Sequence, residues 1–391
     1  LTIFPDTGLT VTLSTSRGVV QSVGVRSGRL VEAASRFAGR TPAQVLTLLP
    51  NLFALCGTAQ GLTGLAAMEE AAGIVCAPAT KAARAMMVLS ETVCEHTLCL
   101  TRDWPVLAGQ NPDLAAAKAI KVAMSTIRTA LYPDGDSLAL GDGGLRPDTA
   151  SIDAAIAQAT ETLNRCLGAD IHLITTQERR FRAWLDMATV PAASLLQDIA
   201  AQGEGMIGAI GFAPMPDDGP ADLAGRMADK SIQAYLAAPD CAGRVLETGP
   251  LSRQWGAPLV ATLSGGMAPG LLARFASRLV DLAVSLRRMA ALVQDLRPVP
   301  AAGGETGDGT GLAVTQAARG LLAHRVVLSE GRVADYRILA PTEWNFHPDG
   351  PLAQGLSGMA ADGNLTRRAN LLVNALDPCV ACDIRVEEAD A

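Results

Sequence analysis

Apolar residues spaced three and four apart fill residues 42–73, 78–102, 112–131, 150–167 and 265–296, and this periodicity limits the fold more than any other feature. Such spacing lays one apolar stripe along a helix, and stripes of this length are buried only against one another. Ala and Leu dominate an apolar content of 49%, with only 4% aromatic residues. That favours packed helices over a sandwich or barrel rich in β-branched and aromatic side chains. The expected fold is mainly α (α+β), a helical bundle with small peripheral β-hairpins.

The strand signals are few. Thr10-Val11-Thr12-Leu13 and the run Val19 to Val25 flank Ser16-Arg17-Gly18, a hairpin pattern within residues 8–34. A second hairpin is predicted from His324 to Leu339 around Glu330-Gly331, preceded by a helix turn and followed by a loop and a cysteine-bearing tail. The Pro- and Gly-rich stretch 297–311 is the clearest flexible connection. The segment beyond residue 311 is too small for a core of its own, so residues 1–391 are expected to form a single domain with 297–311 as a surface loop.

Charge and hydropathy exclude some functions. The 32 basic and 39 acidic residues, net −7, form no like-charge blocks, so no basic face for nucleic acid is expected. The uncharged stretch Thr41 to Met68 is interrupted by Pro42, Pro50, Asn51, Gly57 and Gln60, which fits a buried segment better than a membrane span. No basic, apolar and small-residue series marks the start for secretion, so a cytoplasmic location is expected.

The 8 cysteines lack the dense spacing of a disulfide scaffold. Cys76, Cys94, Cys99, Cys166 and Cys241 lie in or beside apolar helical stretches and read as small buried hydrophobes. Cys379 and Cys382 differ: three residues apart, both thiolates can reach one metal ion. Exposed, such a pair is a liability, so the tail is expected to tuck inward. Alone the pair permits half a zinc site, a redox dithiol, or ligands for a transition metal such as iron or nickel. Another thiol could come from Asn51 to Gln60, which contains Cys56.

With that segment included, the chain resembles the large subunit of nickel-iron hydrogenases over most of its length. Asp377-Pro378-Cys379-Val380-Ala381-Cys382 resembles the family's late D-P-C-x-x-C-x-x-H, and the Cys56 segment its early R-x-C-G-x-C-x-x-x-H. Leu246 to Arg253 (LETGPLSR) is similar to E-x-G-P-L-A-R, Ala317 to His324 (AARGLLAH) to A-P-R-G-x-x-x-H, and Pro341 to Asn345 (PTEWN) to P-T-T-W-N. The order of the motifs is also the family's.

The departures are informative. With Cys56 on the second early cysteine, Phe53 stands on the first, Asn51 on the arginine and Gln60 on the histidine; Arg385 stands on the late histidine. The resemblance implies that Cys56 and Cys382 are the thiolates that bridge to iron and that Cys379 is a nickel-only thiolate whose partner is lost. It also implies that the family's proton-transfer glutamate has no counterpart near Asp6 to Leu13, and that Arg385 removes the feature tied to tail processing. No complete nickel site and no hydrogen turnover are expected. Arg319 matches the arginine over the iron and Thr342 a second cyanide donor, while Glu343 replaces a small hydroxyl residue. Apart from the resemblance, Arg319 could be a surface arginine, Thr342 a turn residue and His324 a satisfied core histidine.

Such a degenerate relative resembles the hydrogenase expression/formation proteins of the HupK type. The resemblance implies a non-catalytic maturation protein, a scaffold or carrier on which Cys56, Cys379 and Cys382 hold iron bearing cyanide and carbonyl ligands. Its partners would be the large-subunit precursor and other maturation proteins. The alternatives are a metal-free chaperone for the precursor or maturation factors, and a protein stabilised by structural zinc.

Overall fold

The computed structural model describes residues 8–28, 31–211, 219–229, 232–266, 268–304 and 307–388. Asp6 and Thr7, residues 29–30 of the first hairpin region, residues 305–306 of the Gly-rich stretch and the last 3 residues lie outside them.

Strands β1 (Leu9–Ser16) and β2 (Val19–Ser27) form the predicted hairpin. Its turn places Arg17 and Gly18 both at positive φ, the twist that joins antiparallel strands tightly. The apolar stretch 42–73 is not one helix. It divides into α1 (Pro42–Leu52) and α2 (Gly57–Ala72), bent by 99° around Phe53. Pro50 removes a backbone donor in the last turn of α1, and a short 3₁₀ segment, Ala54–Cys56, carries the chain round the corner. No single helix among the described residues is long and apolar enough to cross a membrane. Helix α3 (Pro78–Leu98) continues into a π-helical turn at Cys99–Asp103. The stretches near 112–131 and 150–167 are helices Leu114–Leu131 and Thr149–Leu167. Asp113 and Asp148 cap their first turns by accepting backbone N–H groups. The fifth stretch becomes helix Leu271–Leu292, which starts after Gly270 instead of at 265.

Between these lie helices the periodicity does not single out, Glu178–Met187 and Pro191–Ala201 among them, and Leu365–Leu376 precedes the thiol pair. The expected helix turn after residue 311 is a strand. β3 (Gly309–Ala317), β4 (Gly320–Ser329) and β5 (Arg332–Leu339) form one antiparallel sheet, and the hairpin expected from His324 begins at Gly320. Gly309 and Gly311, which read as loop signals, let β3 lie on the backbone of α2. A Cβ at either would collide with the carbonyl of Ala71 or Ala67. The preceding stretch is tied down by Val299 N–H to Leu145 O at 2.9 Å and Asp142 N–H to Ala302 O at 3.3 Å.

The tail adds a strand that no sequence signal predicts, β6 (Cys382–Glu388). It pairs parallel to β1, giving a sheet ordered β2-β1-β6 with Leu9 opposite Cys382. The inner row Leu9, Val11 and Leu13 is fully buried. It joins an apolar cluster running through α2, α3 and Leu271–Leu292 to Leu376.

Candidate metal-holding site

The corner between α1 and α2 puts Cys56 at the N-cap of α2. Its thiol does not cap the helix. Glu91 of α3 does, accepting Thr58 N–H at 2.7 Å and Ala59 N–H at 3.1 Å. Gln60 aims its amide nitrogen at Cys56 Sγ, 3.8 Å away, and its oxygen at His324 Nε2, 2.9 Å away. Tyr336 Oη lies 2.8 Å from His324 Nδ1. Burial lowers the His324 pKa to about 3, so the ring is neutral. The consistent arrangement is Tyr336 donating to Nδ1 and Nε2–H donating to Gln60, which leaves the amide N–H for the thiol. Gly64 makes room, since a Cβ there would sit 2.5 Å from the Tyr336 hydroxyl. His324 is thus a satisfied core histidine, and Gln60 transmits its orientation to Cys56.

Cys379 approaches from the other side, with its Sγ 3.1 Å from the Thr342 hydroxyl. Burial, and next the nearby Cys379, push the Cys56 thiol up to about 12, while Arg319 pulls it down. Burial and then Asp383 push Cys382, at the head of β6, up to about 11. Among the described residues no three His, Cys, Asp or Glu side chains are grouped so as to hold a metal ion. Cys56 and Cys379 are therefore neighbours, while Cys382 heads β6 opposite Leu9 of β1.

Arg319 occupies the two-residue turn joining β3 to β4. Its side chain is 10% exposed, with Nη1 3.0 Å from Glu95 Oε2 and Nε 3.4 Å from Asp377 Oδ1. Both contacts are buried ion pairs whose alignment falls short of ideal hydrogen-bond geometry. Burial works against its charge, but Asp377 and Glu95 outweigh it and raise the pKa further. Asp377 is held below the usual carboxylate range, burial being overcome by Arg319 and then Arg278.

Three of the sequence motifs interlock behind Arg319. Arg253 donates to Ala317 O at 2.8 Å and Ala318 O at 3.0 Å, and Asn345 Nδ2 donates to Arg319 O at 3.3 Å. Asn345 Oδ1 accepts Thr248 N–H at 2.9 Å. Glu247 is buried against Arg274, with a 2.7 Å contact. Glu343, in place of a small hydroxyl residue, accepts Ala340 N–H at 3.2 Å and closes its own short helix, Pro341–Asn345.

Sequence reasoning missed Glu91, Glu95 and Asp281. The first two had a signal, because Glu91, Glu95 and Cys99 recur every fourth residue and share one face where α3 runs into the π-helical turn. Cys99 Sγ lies 3.6 Å from Asp377 Oδ2. Cys76, Cys99 and Cys241 are buried and Cys94 and Cys166 half-buried; Cys241 sits in a loop bridged to Arg244, not in a helix.

Glu91 gives a pH prediction. Burial raises its pKa to about 7 despite the Thr58 and Ala59 hydrogen bonds. Between the unfolded value of about 4.3 and that value the folded state keeps a proton the unfolded chain has lost, so this group's stabilisation fades as pH rises. Glu91→Gln is expected to remove a slope of up to ~1.4 kcal/mol per pH unit between about pH 5 and 7. Urea denaturation at several pH values reads it, and parallel wild-type and variant curves would refute the assignment.

Residues 214–385 match the nickel-dependent hydrogenase family. The structure superposes on a chain of the Ni-Fe-Se hydrogenase from D. vulgaris Hildenborough with a TM-score of 0.67 and 16% identity, covering 94% of this chain and 95% of that one. The fold is therefore that of a nickel-dependent hydrogenase large subunit. The hydrogenase expression/formation protein HupK of Azotobacter vinelandii is 32% identical, over 95% of this chain and 96% of its own. The hydrogenase expression/formation protein HupV of Azotobacter chroococcum mcd 1 is 30% identical with the same coverage. The chain belongs to the hydrogenase expression/formation proteins.

Proposed function

We infer that the protein is an accessory factor in hydrogenase formation and acts as a scaffold or carrier for iron bearing cyanide and carbonyl ligands, before transfer to a large-subunit precursor. The observation that carries this reading is Arg319, whose buried guanidinium, ion-paired to Asp377 and Glu95, lies close to Cys379 and Cys56. A buried guanidinium fork held in place by two carboxylates suits a small anionic ligand, and cyanide is one. Soft thiolates at Cys56, Cys379 and Cys382 suit the metal, and Thr342 can donate to Cys379 or to a ligand. When bound, the iron would supply a preformed centre for transfer, not turnover. Three thiolates without a closing fourth leave it open to a recipient thiolate. Among the described residues Phe53, half-buried at the α1–α2 corner, offers no donor where the large subunit has a cysteine.

Protein purified anaerobically from cells containing the maturation machinery is expected to show cyanide and carbonyl infrared bands and bound iron, both lost in Cys382→Ala. Bands that survive in the variant would overturn the ligand assignment. Absence of bands and iron from the wild type would overturn the scaffold itself. The second reading, a metal-free chaperone for the precursor or another maturation protein, is favoured by the lack of a three-ligand group among the described residues. It requires normal hydrogenase maturation by the Cys56, Cys379 and Cys382 triple variant.

A further inference from the structure

A helix at the surface of a protein normally turns charged side chains to water. Among the described helices of eight or more residues, α1 alone carries no charged residue. Yet α1 has a full outer face. Ala43, Gln44, Thr47, Asn51 and Leu52 are exposed, and Ala54 and Leu55 continue the face round the corner towards α2. Leu52 is 57% and Leu55 50% exposed. The two other exposed large apolar residues that share an element, Leu114 and Val122, have the exposed Lys118 and Lys121 between them.

The polar side chains of this face are satisfied within their own helix. Gln44 Oε1 accepts Thr41 N–H at 3.0 Å, Thr47 Oγ1 donates to Ala43 O at 2.9 Å, and Asn51 Nδ2 donates to Thr47 O at 2.9 Å. Covering them strands no polar group that lacks a partner, and no charge has to leave water. The buried centre of a protein–protein interface is depleted of charge in the same way. The face also ends at a thiol. A Cβ on Gly57 would sit 2.9 Å from Pro50 O, so the start of α2 abuts the last turn of α1, with Leu55 and Cys56 successive residues of the corner. Size decides the kind of occupant. Eleven helical residues span ~16 Å and, at a width of ~10 Å, offer an area on the order of a few hundred Å². A lasting dimer covers about 800 Å² on each partner. So small a face suits a protein that docks beside Cys56 and leaves again.

We propose that the uncharged face of α1 and its corner dock the protein that receives the iron, through an uncharged, apolar segment lying beside the recipient's own thiols. In the exchange each iron–sulfur bond to the recipient forms as one to this chain breaks, and the protons of the recipient's thiols pass to the cysteines released. The inference rests on the carrier reading above and adds where the recipient sits.

The test mixes full-length protein, purified anaerobically from cells containing the maturation machinery, with the hydrogenase large-subunit precursor. Affinity and the cyanide and carbonyl bands on each protein are followed. Thr47→Glu with Leu52→Glu sets two charges in the face. This variant is expected to keep its own bands, which also shows that it folds, while its affinity for the precursor falls at least about tenfold and bands cease to appear on the precursor. Thr47→Arg alone, the milder variant, should act in the same direction. Met187→Glu, at an 80% exposed position on helix Glu178–Met187, should change neither affinity nor transfer. Bands together with wild-type affinity in both α1 variants would overturn this inference alone. Folded α1 variants that arrive without bands would assign the face to loading, and a wild-type dimer dispersed by them would make a second copy the occupant; either overturns it. A wild type without bands would sink the carrier reading, and the recipient as occupant with it.

Discussion

Asp281→Ala is expected to cost about 3–5 kcal/mol of folding stability, the range for breaking a buried ion pair by removing one partner. The carboxylate accepts Arg253 Nη2 at 2.6 Å and Nε at 3.1 Å, Gln254 Nε2 at 2.8 Å and His96 Nε2 at 2.8 Å. Burial opposes its charge, yet Arg253 and His96 hold it far below the usual carboxylate range. Its stabilisation is therefore present above the unfolded pKa, about 3.9, and is lost as pH falls through the folded value. The substitution strands a guanidinium and two further donors in the interior. Guanidinium denaturation at neutral pH measures the effect, and a loss below about 1 kcal/mol would contradict the account. Because Arg253 also grips the carbonyls of Ala317 and Ala318, Asp281→Ala and Arg253→Ala should be strongly non-additive.

Arg319→Ala is the second large effect, about 2–4 kcal/mol, because Glu95 loses its cation and Asp377 keeps only Arg278, 3.6 Å away. Arg319→Lys separates charge from shape. A lysine keeps the positive charge and should restore much of the stability, but it lacks the planar fork. If Arg319 steadies cyanide, the lysine variant should fold nearly normally and yet shift or lose the infrared bands. If the arginine is only structural, bands and stability should fall together.

The helical bundle was legible because three-and-four periodicity survives in its long helices, and both tight turns were legible from Arg17-Gly18 and Glu330-Gly331. The errors share a cause: local signals whose meaning depends on distant neighbours. Gly309 and Gly311 spell a loop until α2 is seen beneath them. Pro50 lies inside an uncharged stretch that reads as helical on both sides, and only the close return of the chain at Gly57 makes a corner of it. β6 is a short, charged segment whose pairing with β1 no local pattern encodes. The motifs singled out Cys56, Cys379, Arg319 and Thr342 because each occupies a fixed place in a recurrent word, and these four residues lie near one another in the fold. Asp281 and Glu91 belong to no such word, and their partners lie on other helices.

The parallel pairing of β1 with β6 also sets an order of events during synthesis. Thr15 Oγ1 donates to Glu387 O across 372 residues of chain. At ~5–20 residues per second, β1 leaves the ribosome roughly 20–70 s before its second neighbour exists. Until then its inner row has only β2 beside it, and Cys56 is present long before Cys379. Assembly of the thiols thus waits on synthesis of residues 379–388: a nascent chain that has not reached them has its first cysteine and its helices but lacks the rest of the pocket.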